Sequence, residues 1–393
     1  MNGDANVCKS ASKSLPIKLA RFFPLHQRKR RRLTLQSELG EIELTVDYGQ
    51  DPQSGHWICP VQRYWGMKPH QKITPGFANK LCFTVTASGS YEEAAQVAAR
   101  WTQSEVSHST LHKLVQRLGA LAEEQTQERL AGEPAEAQPQ RQASALAILM
   151  VDGWMVRQRG LGWGKKKTQQ NHVEWHELKT GVYYAQEQAA QTQSGRGLLA
   201  DKVIVSWQGE AGELGRRLHW EALRGGLGRA KHLLFLGDGA PWIWNLQQDR
   251  WAKAVGVLDF YHASQHCWNV WRAVRGEQDP RLPCWMDRRL HWLRHGQEKR
   301  VWREVAGLKP LQGDARQILQ REQAYFTNHA PRMNYQEIAD RGWPIGSGAV
   351  ESACRQKQCR FKRPGQFWTQ QGLRNLLALD EARRNHHWDQ LWN

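Results

Sequence analysis

Ala145–Asp152 reads ALAILMVD, an unbroken apolar run closed by an acid. Continuous apolarity is the mark of a strand buried on both faces, at the centre of a sheet covered by helices. Four further strand-type runs follow: HELKTGVYYA (176–185), DKVIVSWQ (201–208), HLLFLGD (232–238) and AVGVLD (254–259). The segment APWIWNLQQ (240–248), between the last two, reads as a helix. These runs mark an α/β region, in which the order of the strands is not readable from the sequence.

Three of the apolar runs end in an aspartate: Asp152, Asp238 and Asp259. In open α/β sheets, the loops beyond the carboxyl ends of the strands build the active site. Glycine follows the first two acids and allows close approach of backbone or substrate. A further acid, Glu351, stands in PIGSGAVESACRQKQCRFKR (344–363) among Arg355, Lys357, Arg360, Lys362 and Arg363. A helix starting near Ser347 puts Glu351, Arg355, Gln358 and Lys362 on one stripe. Val350, Ala353, Cys354 and Phe361 form an adjacent apolar stripe, and Pro364-Gly365 ends the helix. At its least, Glu351–Arg355 is an i, i+4 ion pair worth about 0.2–0.5 kcal/mol.

From about His262 to Arg341 the pattern is helical, and QGLRNLLALDEARRNHHWDQLW (371–392) is an amphipathic helix. Upstream, LTLQSELGEIELTVD (33–47) alternates around a turn and reads as a β-hairpin. YEEAAQVAARWTQSEVSHSTLHKLVQRL (91–118) reads as two helices around a polar turn, a helix-turn-helix outline shared by any αα-hairpin. AEEQTQERLAGEPAEAQPQRQAS (122–144) has the composition of a linker.

The chain has 393 residues, 40% of them hydrophobic, enough for two or three domains and a substantial core. Its net charge of +17 favours a polyanionic partner, most often nucleic acid. The charge is clustered at Arg28–Arg32, Lys165–Lys167 and Arg355–Arg363. The first thirty residues are polar and basic, so neither a signal peptide nor a membrane span is expected. Seven cysteines without a CxxC pair fit free thiols in a reducing compartment. Twenty tryptophans belong mostly to the core, although indoles also stack on unpaired bases.

Acids gathered in a chain this basic need compensation, because like charges a few Å apart cannot all stay ionised. Mg²⁺ takes carboxylate oxygens and leaves room for a phosphate. Zinc is disfavoured: His262, His266 and Cys267 lack the Glu of a hydrolase HExxH motif, since Ala263 stands in its place. RGLGWGKKK (159–167) lacks the order of a P-loop. A glycosidase pairs carboxylates too but needs no basic excess.

Taken together, MVDGW (150–154), GDGAPWIW (237–244), LDFYHASQH (258–266) and PIGSGAVESACRQ (344–356) resemble DDE transposases of the ISKra4-like insertion-sequence family. The resemblance covers about 145–385, and extends more loosely to the N-terminal GEIEL, TPGF and helical hairpin. It implies an RNase H-like mixed-sheet core with an all-α insertion, preceded by a small α+β DNA-binding region. The implied organisation is 1–121 DNA-binding, 122–144 linker, 145–261 first part of the core, 262–341 helical insertion and 342–393 C-terminal helices. It also implies Asp152, Asp238 and Glu351 as catalytic, metal-holding acids for Mg²⁺ or Mn²⁺. Asp259 and His262 would be accessory; Lys165, Lys166, Lys167, Arg355, Lys357, Arg360, Lys362 and Arg363 would meet DNA. Relatives often carry paired cysteines near the N-terminus; Cys59 has no such partner, so no structural zinc is expected. The implied activity is binding of transposon ends, phosphodiester hydrolysis and strand transfer on double-stranded DNA, by a homodimer or larger assembly in the cytoplasm near the nucleoid. The alternative is a catalytically silent, transposase-derived DNA-binding protein.

Overall fold

The computed structural model describes residues 23–132, 144–164, 171–194, 197–309 and 313–392. The chain divides into two compact units, Met1–Leu121 with Asp389–Asn393, and Ala122–Trp388.

In the first unit β1 (His26–Ser37) and β2 (Gly40–Gln50) form an antiparallel hairpin, with Leu35 opposite Ile42 and Leu33 opposite Leu44. Gly40 closes the turn at φ +101°, a conformation that costs glycine nothing. β3 (Trp57–Ile58) adds to β2, and α1 (Pro60–Tyr64) follows. Leu33, Leu35, Val46, Cys59 and Met67 make the small core here. The first half of β1 is exposed and basic; Arg31 lies over the Tyr48 ring at 4.1 Å. Then come α2 (Pro75–Ala87), α3 (Tyr91–Trp101) and α4 (His108–Ala131). Ser90 caps α3 by accepting from the Glu93 amide at 3.0 Å, and Glu93 in turn accepts from the Gly89 amide at 2.7 Å.

Helix α4 is longer than the hairpin pattern predicts and takes in the first ten residues, 122–131, of the expected linker at 122–144. It runs on to Ala131, with Ala122 buried and Glu123 paired to Arg217. The Glu, Gln and Ala that look like linker composition are also strong helix formers. Residues 133–143 lie outside the described residues.

The second unit is built on a five-stranded sheet, ordered β10-β9-β4-β5-β8. Its strands are β4 (Leu146–Arg159), β5 (Val173–Ala185), β8 (Val203–Gln208), β9 (His232–Gly237) and β10 (Val255–Leu258). A small two-stranded ribbon, β6 (Ala189–Gln191) with β7 (Gly197–Leu199), is inserted before β8. β5 pairs antiparallel with β4 and β8, while β9 runs parallel to both β4 and β10. This is a mixed α/β architecture with a mixed-orientation sheet. Between strands lie α5 (Ala211–Arg224) and α6 (Pro241–Arg250). α7 (Phe260–Arg275), α8 (Leu282–Arg294), α9 (Glu298–Gly307), α10 (Gly313–His329) and α11 (Tyr335–Asp340) occupy the stretch read as helical.

Helices α12 (Gly348–Phe361) and α13 (Gln370–Arg384) complete the unit. α12 buries Val350, Ala353, Cys354, Lys357, Arg360 and Phe361. Two expected DNA contacts are therefore corrected. Lys357 is wholly buried, its ammonium 3.1 Å from Asp380 and 3.9 Å from Glu381. Arg360 is 6% exposed and lies over the Phe361 and Trp368 rings. Both stand at helical spacing from Val350 and Ala353, on the apolar stripe, so burial follows from register.

A buried pair costs most when one half is removed. Lys357→Ala is expected to destabilise by about 3–5 kcal/mol, measured by urea unfolding, and Lys357→Met with Asp380→Leu to recover most of it. Burial pushes the Glu381 carboxyl up to about 7, against its ordinary 4.5, although Lys357 and Arg217 pull the other way. Stabilisation present below the unfolded value is thus lost as pH rises through 7. Glu381→Gln keeps an acceptor for the Ser206 amide, which now donates to Glu381 at 2.5 Å. It is expected to raise the melting temperature at about pH 8 and leave it unchanged near pH 4.

Candidate active site

Val151 pairs with Gly237, and Gly237 with Leu258, so one row of residues crosses β4, β9 and β10. The next residue along each chain is an acid: Asp152, Asp238, Asp259. Neighbouring strands lie about 4.8 Å apart, which sets the lateral spacing of this row.

The three acids meet different surroundings. β4 does not end at its acid, as the apolar run suggests; it continues to Arg159 against β5, with Asp152 opposite Thr180. The Asp152 carboxylate accepts from the Gly153 amide at 2.7 Å and is hydrogen-bonded to the Cys354 thiol. Beneath it runs a buried polar chain. The Trp154 indole donates to the Thr180 hydroxyl at 3.1 Å, and that hydroxyl meets Ser206 at 3.0 Å. Burial, reinforced by the negative charges of Asp238 and Glu351, pushes the Asp152 carboxyl up to about 6.

Asp238 follows the last residue of β9 and accepts from the Ala240 amide at 2.8 Å, shaping the turn into α6. A Cβ on Gly239 would run into the Tyr325 ring of α10, and one on Gly153 into Glu177. After Asp238 a ring of the protein itself already fills the space a side chain would take; after Asp152 the neighbour is only the flexible carboxylate end of Glu177. Tyr325 stacks on His266 at 3.5 Å, and His266 pairs with the buried Glu322. His262 packs edge-on against His266 at 5.1 Å. Burial, with Asp238 and Asp259 nearby, raises the Tyr325 hydroxyl well above its ordinary value. Sequence reasoning missed Tyr325, and no local motif marks it.

Asp259 is only 2% exposed. One carboxylate oxygen caps α7 by accepting from the His262 amide at 2.5 Å; the other accepts from the Ser347 amide at 2.5 Å. The Phe260 amide also donates to Ile345 at 3.0 Å. Asp259 thus ties the start of α7 to the loop that launches α12, and both of its oxygens are engaged.

Glu351 lies in the first turn of α12. Its carboxylate accepts from the Ser347 hydroxyl at 3.3 Å and faces Arg355 at 3.8 Å. The Arg355 side chain is 80% exposed, so this contact is weak, at most about 1 kcal/mol. Cys354, three residues on, brings the buried face of α12 to Asp152. Hence Asp152, Asp238 and Glu351 share one electrostatic neighbourhood. Among the described residues, however, no three His, Cys, Asp or Glu side chains close around a single metal position. His262, His266 and Cys267 form no such group either; Cys267 is fully buried and its thiol pushed up to about 12.

Of the remaining expected DNA contacts, Arg355 and Arg363 are exposed and Lys362 is half-buried. Lys165, Lys166 and Lys167 lie outside the described residues.

A family profile matches residues 20–389. The chain belongs to the uncharacterised protein family UPF0236. No curated protein matches it. Among solved structures, the Drosophila P element transposase strand transfer complex is a shallow likeness, with 10% identity and a TM-score of 0.27, covering 80% of this chain and 79% of that one. In this UPF0236 chain no helix among the described residues is long and apolar enough to cross a membrane.

The contact behind Asp238 is open to a stability measurement. Gly239→Ala is expected to cost about 1–3 kcal/mol by overpacking against Tyr325. Adding Tyr325→Leu should return part of that loss, so that the two effects fail to sum in a double-mutant cycle.

Proposed function

We propose that the protein is a DDE transposase of the ISKra4-like kind, cleaving and transferring DNA strands at transposon ends. The observation that carries this reading is the row Val151–Gly237–Leu258. It sets Asp152 beside Asp238, while Glu351 reaches the same neighbourhood on a helix packed over β4. The sheet supports an RNase H-like core: an antiparallel run β4-β5-β8, then two strands parallel to β4 on its other side. Helices α7–α11, between β10 and α12, correspond to the all-α insertion, and α3 with α4 to a helix-turn-helix for the terminal repeats.

A buried carboxylate, Asp152, whose proton affinity is raised by the negative charges of Asp238 and Glu351 suits a hard divalent cation, Mg²⁺ or Mn²⁺, held by Asp152, Asp238 and Glu351. The chemistry such an ion supplies when bound is charge neutralisation and Lewis acidity at a phosphodiester. The chain's own residues prepare the place. The Cys354 thiol and the Gly153 amide orient Asp152, the Ala240 amide fixes Asp238, and Asp259 anchors the start of α12 through Ser347. Water and then a DNA 3′-hydroxyl would be the nucleophiles, with Arg355, Lys362 and Arg363 along the phosphate track. The partner would be double-stranded DNA, bound by a homodimer or larger assembly.

One observation favours a second reading, a catalytically silent DNA-binding protein. Glu351 is turned toward Ser347 and Arg355, and the three acids do not close on one point.

The test is cleavage of labelled DNA taken from the boundaries of the gene's own element. Nicking is expected in Mg²⁺ or Mn²⁺ and not in EDTA. Asp152→Asn, Asp238→Asn and Glu351→Gln should each lower the rate by roughly a hundredfold or more while DNA binding persists. Normal cutting by those variants would sink the assignment; binding without cutting by the wild type would carry the silent reading.

A further inference from the structure

Beyond the acids, β4 and β5 continue as a two-stranded arm whose outer face is neither apolar core nor plain charge. Arg157 stands opposite Trp175 in the pairing register. Trp175 is 53% exposed, and two cations lie over its ring: Lys362 at 5.5 Å and Arg157 at 5.9 Å. Arg157 also lies 5.2 Å from the centroid of Phe367, which packs on Trp163 at 4.9 Å with Arg159 above that ring at 5.9 Å. Aromatic rings and cations thus interleave along one strip.

The strip is held rigidly. The segment after α12 is laced to β4: the Trp368 amide donates to Arg157 at 3.2 Å, and the Arg159 amide to Trp368 at 2.9 Å. Trp368 itself is buried, its indole donating to the Phe361 carbonyl at 2.8 Å. Arg157 additionally donates to the Lys362 carbonyl at 3.3 Å. An exposed indole on so fixed a frame pays little entropy when a second flat group stacks on it.

We infer that this strip holds unpaired nucleotides of a DNA strand, bases stacking on Trp175 and phosphates meeting Lys362 and Arg159. The inference rests on the reading of DNA as the partner and adds which part of the DNA is held, and where. A ring flanked by cations suits a base with its phosphate, because every base has a π-face and every nucleotide a negative charge. A base pair inside a duplex is stacked on both faces and leaves none free, so the strip favours frayed or single-stranded ends. Arg157 is five residues beyond Asp152 on β4, about 17 Å at ~3.3 Å per residue. At the ~3.4 Å per nucleotide of one strand of a duplex that is about five nucleotides from the acids, and fewer for an unstacked strand, which spans more per nucleotide, so five cover the distance.

The experiment uses the full-length protein and two DNA duplexes of equal length. One is blunt; the other carries a five-nucleotide single-stranded overhang containing 2-aminopurine. The wild type is expected to bind the overhang duplex roughly tenfold more tightly and to quench the 2-aminopurine by stacking. Trp175→Ala should lose both the preference and the quenching, with blunt-duplex affinity retained. Trp175→Phe should keep most of both, and Lys362→Gln, which leaves the ring in place, should reduce the preference while keeping the quenching. Equal wild-type affinity for the two duplexes, or a Trp175→Ala variant that still prefers and quenches the overhang, overturns the inference and leaves the DNA reading standing. Failure of the wild type to bind either duplex removes both.

Discussion

Parallel pairing of β9 with β4 and β10 is the constraint from which the site follows. It brings Val151, Gly237 and Leu258 into one row, and Asp152, Asp238 and Asp259 are each the next residue after that row. The side-chain period of a strand is two, so a one-residue slip would send Asp152 to the opposite face of the sheet, away from α12. What the chain does after each strand then decides the fate of each acid. β4 continues, so Asp152 remains on a sheet face under Cys354. β9 stops, leaving Asp238 in a turn. β10 runs straight into α7, which makes Asp259 a helix cap with both oxygens engaged.

That division distinguishes acids that the sequence alone leaves equivalent. Asp259 and Asp238 both close apolar runs, and either could serve as a second ligand beside Asp152. In the folded chain Asp259 is buried and doubly bonded to backbone amides, while Asp238 acts on Asp152 through its charge. A carboxylate spent on two amides is a poor candidate for a cation. Its value lies in joining α7 to the loop before α12, and with it the position of Glu351.

Much of the sheet was legible because buried strands announce themselves by unbroken apolarity, as in ALAILMVD and HLLFLGD. The far half of β4 was not. There Trp154 and Val156 are buried while Met155 and Arg159 are exposed, so an alternating half replaces the continuous one and the acid no longer marks a strand end. Residues 122–131 were misread because helix formers and linker formers overlap in composition. Lys357 and Arg360 were misread by residue type, although their spacing from Val350 and Ala353 already pointed inward. Tyr325 was illegible for a different reason: its contact with Gly239 joins segments far apart in sequence, and nothing local encodes it.

The basic helix α12 therefore serves two purposes on two faces. Lys357 and Arg360 point inward, where Asp380 and aromatic rings offset the cost of burying charge. Arg355 stays outside with Glu351, and Lys362 continues past the helix end to the Trp175 ring. The inner cations fix α12 against α13 and so determine where its first turn, with Glu351, must lie. The outer cations lead from that turn toward the β4–β5 arm. Net charge of +17 distinguishes neither set; helical register does, by deciding which cations hold the scaffold and which stay exposed.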